Sequence, residues 1–229
     1  FSDSVAALIL NSGSISGTRG LLTASSYALT SGTLSARIGG DTASLTKSGS
    51  TYSNSVTLSG ANSYGGTTTL GTNSGSLIIS HNSALGNSAS VNVAGSGTAL
   101  VLANGIAISG KSITLRGTGA NNNTLGNFSG GLTTATNASA SWSGSVTLGD
   151  SNGRLGAGNG GTLSLTGPIL GSSTNQSLTL SSGTGTTIGT VVLSGANNFT
   201  GNISIIRGNL KIGAANTLPN TAVIDVGSS

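Results

Sequence analysis

Glutamate, cysteine and methionine are missing from this 229-residue chain, and glutamine occurs once, at Gln176. Proline occurs twice, aromatic residues make up 3% and charged residues 5%. Each scarcity excludes something. Without cysteine there is no disulfide framework and no thiolate to hold a metal or act as a nucleophile. The same lack fits a secreted bacterial protein that avoids misoxidation. With few charged residues, the strong helix formers reduce to Ala and Leu, so helices are not expected. The longest purely apolar run, Val5 to Leu10, is six residues. A membrane-spanning helix needs about 18 or more, so no transmembrane segment is expected. No secretory leader is visible, and an opening Phe1 in place of Met reads as a processed or excised chain.

The formal net charge is +4. The cations are scattered from Arg19 to Lys211 and are not interleaved with aromatics, so nucleic acid is not an expected partner. The high isoelectric point reflects missing carboxylates.

Gly is abundant, at 39 residues, and Ser, Thr and Asn fill the polar positions. Disorder would need low hydrophobicity and high net charge; here 35% of residues are hydrophobic and charge is nearly absent. The chain instead repeats itself. Val56-Thr57-Leu58-Ser59-Gly60-Ala61-Asn62-Ser63-Tyr64-Gly65-Gly66 returns almost unchanged as Val192-Leu193-Ser194-Gly195-Ala196-Asn197-Asn198-Phe199-Thr200-Gly201, with Leu193 answering Leu58. The likeness continues through Ala84-Leu85-Gly86-Asn87 against Thr217-Leu218-Pro219-Asn220, and Val91-Asn92-Val93 against Ile224-Asp225-Val226. Recurrence of this kind signals a repeat architecture.

Between the two copies run short alternating segments such as Ala99-Leu100-Val101-Leu102, Ile113-Thr114-Leu115 and Leu163-Ser164-Leu165, punctuated by Gly and Asn. Period-two alternation reads as strands with one buried face. A β-sandwich prefers longer strands and two-residue hairpins. The brevity here favours an all-β, single-stranded parallel β-helix (β-solenoid). At roughly 20 residues per coil it has about 10 coils. Residues 1–11 read as an apolar strand or cap segment and residues 12–229 as the solenoid. Leu58, Leu70, Leu77, Ile79, Leu85, Val91 and Val93 are expected inside. So are Leu193, Ile203, Ile205, Leu210, Ile212, Leu218, Ile224 and Val226 in the second copy. Tyr64 and Phe199 are expected to plug a corner, with Asn62 and Asn197 bonding the backbone of the adjacent turn. The loosest stretch, Gly117 to Ser145 with Asn121, Asn122 and Asn123, reads as a surface excursion.

The Leu-Ser-Gly-Ala-Asn-x-Tyr/Phe-x-Gly pattern at Leu58 to Gly66 and Leu193 to Gly201 resembles the autotransporter-associated β-strand repeat of bacterial secreted proteins. Leu45-Thr46-Lys47-Ser48-Gly49 is similar to a sequence that often precedes that repeat. The resemblance implies a right-handed parallel β-helix exposed outside the cell. Family passengers include many adhesins, and some carry enzymes as added domains.

Catalytic chemistry has little to draw on. The carboxylates are Asp3, Asp41, Asp150 and Asp225, none paired in sequence, whereas glycosidases need two about 5–9.5 Å apart. His81 is the sole histidine and sits in a turn-like His-Asn-Ser. No metal or cofactor site is expected. Asp150-Ser151-Asn152-Gly153 reads as a turn, with Arg154 near Asp150. Trp142 reads equally as an adhesive contact or a core plug. Thr67-Thr68-Thr69 would make an ice-binding surface only if other coils repeated the pair.

The expectation is therefore a non-enzymatic extracellular structural protein, a β-solenoid subunit of a bacterial surface or extracellular fibre. Its partner would be a second copy, stacked head to tail through Val5, Leu8, Ile9 and Leu10 at one end and Val223, Ile224 and Val226 at the other. An adhesin passenger binding cell-surface glycans or matrix is the alternative. A polysaccharide-active enzyme is the weaker one.

Overall fold

The computed structural model describes residues 2–120, 130–150, 153–173, 176–183 and 186–227. No described residue is helical. Strands run from two residues, as in Ser14–Ile15, to five, as in Gly75–Ile79. Gly and Asn between them turn the chain through a corner before a longer strand can form. The chain winds as a right-handed parallel β-helix. It visits three faces in a fixed order, illustrated by Ser2–Ser4 on face one, Leu8–Leu10 on face two and Ser14–Ile15 on face three.

Face three is a continuous ten-stranded parallel sheet and face two an eight-stranded one. Face one carries a three-stranded sheet and, further along, a five-stranded one. The gap between these two is filled by the loop that follows Leu58 and by the turn at residues 81–87. Asn62 N donates to Ser83 O at 3.1 Å, and Ala107 N donates to Asn82 Oδ1 at 2.9 Å. Rung thus passes to rung without strand pairing. At about 4.8 Å per step the ten rungs make a rod roughly 45 Å tall.

Parallel register stacks like on like. One inward file on face three reads Val56, Leu77, Leu100, Leu132, Leu155, Leu180, Ile205, Val226. Its members are buried until the last, Val226, which is 71% exposed. All seven core residues expected in the first copy are buried, as are Leu193, Ile203 and Ile205 in the second. Leu210 and Leu218 are half-buried, and Ile212, Ile224 and Val226 are exposed. The expectation that these five lie inside is corrected. Their register is the inward one, but they occupy the final described rungs, where no described residue is stacked above them.

The expectation of a surface excursion from Gly117 to Ser145 is corrected over its described second half, where Leu132–Thr134 and Ser139–Trp142 are strands of the coil. Pairing advances 23 residues from Leu77 to Leu100 but 32 from Leu100 to Leu132. Gly119 and Gly130 form an isolated parallel bridge between these two coils. Asn121, Asn122 and Asn123 lie outside the described residues. From Leu132–Thr134 onward the chain is again part of the coil, and Ser139–Trp142 buries Trp142 in the core.

The two motif copies fold alike but sit on different faces. Leu58 closes a face-three strand, and its loop crosses face one. Leu193 closes a face-one strand, and its loop crosses face two, where Asn198 bridges Leu170. The motif glycines are required by close approach, since their φ angles are not positive. A Cβ on Gly60 would lie 2.5 Å from Ala36 O, and one on Gly195 would lie 2.1 Å from Gly167 O. Both distances are far inside van der Waals contact, so a larger residue would push neighbouring coils apart.

Candidate assembly surfaces

The two ends of the rod differ. At the first rung, Ser2–Ser4, Leu8–Leu10 and Ser14–Ile15 are the outermost strands of their sheets. Leu8 and Leu10 point inward beside Tyr27 and Leu29 and are buried. Ile9 alternates to the outside and is 68% exposed; Val5 is 43% exposed. Of the four residues expected to meet a stacked neighbour, Leu8 and Leu10 present their edges along the axis and Ile9 points sideways. Asp3 pairs with Leu22, which pairs with buried Ile38. It therefore occupies an inward register and lines a cavity of about 200 Å³ with Ile15, Leu22 and Ala36.

The last rung is apolar. Ile224 and Val226 continue the inward files of Ile203 and Ile205, and Asp225 alternates outward beside Ser204. Leu210 and Ile212 continue those of Val191 and Leu193. Val223 is 61% exposed, and its amide donates to Asn202 Oδ1 at 3.3 Å.

Two asparagines fasten the motif loops. Asn62 Oδ1 accepts from Ile38 N at 3.0 Å, and its Nδ2 donates to Ala84 O at 2.7 Å. Asn197 repeats this with Ile169 N at 2.8 Å and Thr217 O at 2.5 Å. Each side chain thus joins the coil before it to the coil after it, a longer reach than a bond within its own turn. Tyr64 and Phe199 are buried plugs. The Tyr64 hydroxyl shares a 2.8 Å hydrogen bond with Thr68 Oγ1, and burial pushes its ionisation well above the usual phenol value.

Lys47 is the residue that reasoning from sequence missed. It lies in the inward file between Leu29 and Leu70 and is fully buried. Its Nζ donates to Thr30 O at 2.9 Å, to Ser48 O at 2.8 Å and to Ser74 O. Burial lowers its pKa to about 8. The alternation Ser44-Leu45-Thr46-Lys47 is the signal that could have found it, because Lys47 shares the parity of Leu45. Lys111 is similar near the surface, donating to Gly86 O at 2.7 Å and Ser88 O at 2.8 Å, and burial lowers its pKa too.

The chemistry-bearing side chains are not brought together. Asp3 and Asp225 lie at opposite ends of the rod, with Asp41 and Asp150 on separate rungs between them. His81 accepts a turn hydrogen bond from Ser83 N through Nδ1 at 3.0 Å. Asp150 O accepts from Gly153 N at 3.4 Å and its Oδ1 accepts from Gly117 N, on another coil, at 3.3 Å; Ser151 and Asn152, at the centre of the expected turn, lie outside the described residues. Among the described residues no three of His, Asp, Glu or Cys cluster to hold a metal, and no helix is long and apolar enough to cross a membrane. Of the two readings of Trp142, the core plug is the observed one: it stacks between Ile108 and Leu165. Thr69 stands between Thr46 and Asn92, so asparagine interrupts the hydroxyl file. No family model, no curated protein and no solved structure matches the chain.

Proposed function

We propose that the chain is a non-enzymatic, extracellular structural rod of a bacterial surface or extracellular fibre, extended by a second copy stacked head to tail. The apolar inward register of Ile224 and Val226, exposed on the last described rung, carries this reading. The described strands run from face one, at Ser2–Ser4, to face three, at Ile224–Val226. A copy placed on the last rung would continue the face order without a twist out of step. Its Leu8 and Leu10 would enter the face-two files and its Ile15 would cover the Ile224–Val226 strand. Open strand edges over an apolar interior favour pairing, and a contact between two different surfaces propagates as a filament. Asp3 works against it, because an inward charge on an edge strand must be desolvated to be covered.

Sedimentation velocity over a range of concentrations tests this. Wild type should form elongated polymers, Ile224→Lys with Val226→Lys should remain monomeric, and Asp3→Asn should polymerise at lower concentration. A wild type that stays monomeric at every concentration would sink the reading. The second reading, an adhesin passenger segment, draws on the motif resemblance and on the exposed ring of Tyr52.

A further inference from the structure

We infer that the corner around Tyr52 is a binding site for one neutral pyranose unit of an extracellular glycan. Among the described residues Tyr52 is the one aromatic side chain that is largely exposed, at 52%. It sits in the loop between strands Ser44–Lys47 and Ser55–Leu58 and reaches two rungs along the axis to Gly97. A Cβ on Gly97 would lie 2.3 Å from Tyr52 Cε1 and 2.5 Å from Asn73 Oδ1. The ring therefore rests on bare backbone, in a place that glycine leaves open. Gly97 has a φ of +73°, in the left-handed region that favours glycine, so both its shape and its conformation suit glycine.

Beside the ring is a cavity of about 230 Å³ lined by Tyr52, Ser96, Gly97, Thr118 and Gly119. Pockets for drug-sized ligands run from about 300 to 1,000 Å³. This one is smaller and suits a single sugar ring. None of its lining residues is charged, which disfavours phosphate, sulfate and other ions as ligands. Its polar groups are hydroxyls and backbone, and Ser96 Oγ is held in place by accepting from Thr118 N at 3.2 Å. An amphipathic ring edged by hydroxyls is complementary to a pyranose, which has a C–H face for the ring and equatorial hydroxyls for the rim. The backbone beneath is fixed by the rung ladder, with Asn73 N donating to Ser96 O at 2.9 Å and Gly97 N to Gly119 O at 3.0 Å. The site is thus held open before any ligand arrives, which spares the cost of ordering it.

The inference goes beyond the assembly reading and does not depend on it, since Tyr52 lies on the side of the rod. Saturation-transfer NMR on the intact chain tests it with four probes: cellobiose, maltose, lactose and N,N′-diacetylchitobiose. At least one should receive saturation from aromatic protons. Transfer should be lost in Tyr52→Ala and retained in Tyr52→Trp, with the circular dichroism of both variants unchanged. Absence of transfer to all four probes, or transfer that survives Tyr52→Ala, overturns the inference.

Discussion

Asn62 and Asn197 make the same pair of coil-to-coil hydrogen bonds from two different faces of the prism. The motif therefore carries its own fastening and does not depend on which face surrounds it. Asn62→Ala would leave Ile38 N–H and Ala84 C=O without their partner. A buried polar group left unsatisfied costs about 1–3 kcal/mol, so a loss of a few kcal/mol is expected in urea unfolding. Asn62→Asp keeps the acceptor but turns a carboxylate toward Ala84 O, and should be no better than Ala. An Asn62→Ala variant as stable as wild type would show that the clamp does not hold the loop.

Tyr64 and Thr68 in the first copy correspond to Phe199 and Ile203 in the second. One pair is joined by a buried hydrogen bond and the other is wholly apolar. Removing one partner of such a bond leaves the other unsatisfied, whereas replacing both by apolar groups is nearly neutral. Tyr64→Phe and Thr68→Ile should each destabilise by about 1–3 kcal/mol. The double variant should recover most of that loss, with a coupling energy in a double-mutant cycle above about 0.5 kcal/mol. Strict additivity would contradict this account.

Lys47 sets a pH dependence. Its pKa is lowered by burial to about 8 in the folded chain, from 10.5. Between these values the unfolded chain holds more protons than the folded one, so stability rises with pH. The penalty for burying the ammonium is fully present below about pH 8 and is relieved as pH climbs toward 10.5. Lys111, lowered in the same direction, adds to the slope. Tyr27 and Tyr64, both raised by burial, reverse it once the unfolded phenols ionise near pH 10. Denaturation midpoints measured from pH 7.5 to 9.5 should therefore increase, by no more than about 1.4 kcal/mol per pH unit for each proton released. Lys47→Met should flatten most of the rise. A midpoint that falls across this window in wild type would refute the assignment.

Much of the fold was legible because a parallel β-helix reads out sequence locally. Alternation at Ser55–Leu58 or Ser112–Leu115 decides which side chains go inward, and Gly and Asn decide where each strand stops. Recurrence of Leu-Ser-Gly-Ala-Asn marked equivalent coils, and the first-copy core followed directly. The second-copy residues Ile212, Ile224 and Val226 were misplaced because burial is not a local property. It needs a further rung above, and alternation says nothing about that.

Strand parity, the lack of helix among the described residues and the equivalence of the two motif copies follow from the amino-acid order alone, since each depends on a few adjacent residues and their backbone preferences. Tertiary structure decided the rest. The number of residues between stacked partners sets the phase of each coil, and this put Leu58 on face three and Leu193 on face one. Stacking placed Lys47 among Leu29, Leu70 and three carbonyls, and it brought Tyr52 over Gly97 across two rungs. Apart from the bond to the adjacent Ser48 carbonyl, these contacts join residues 17 or more positions apart. Their existence rests on register, which is fixed by the sum of every turn between them.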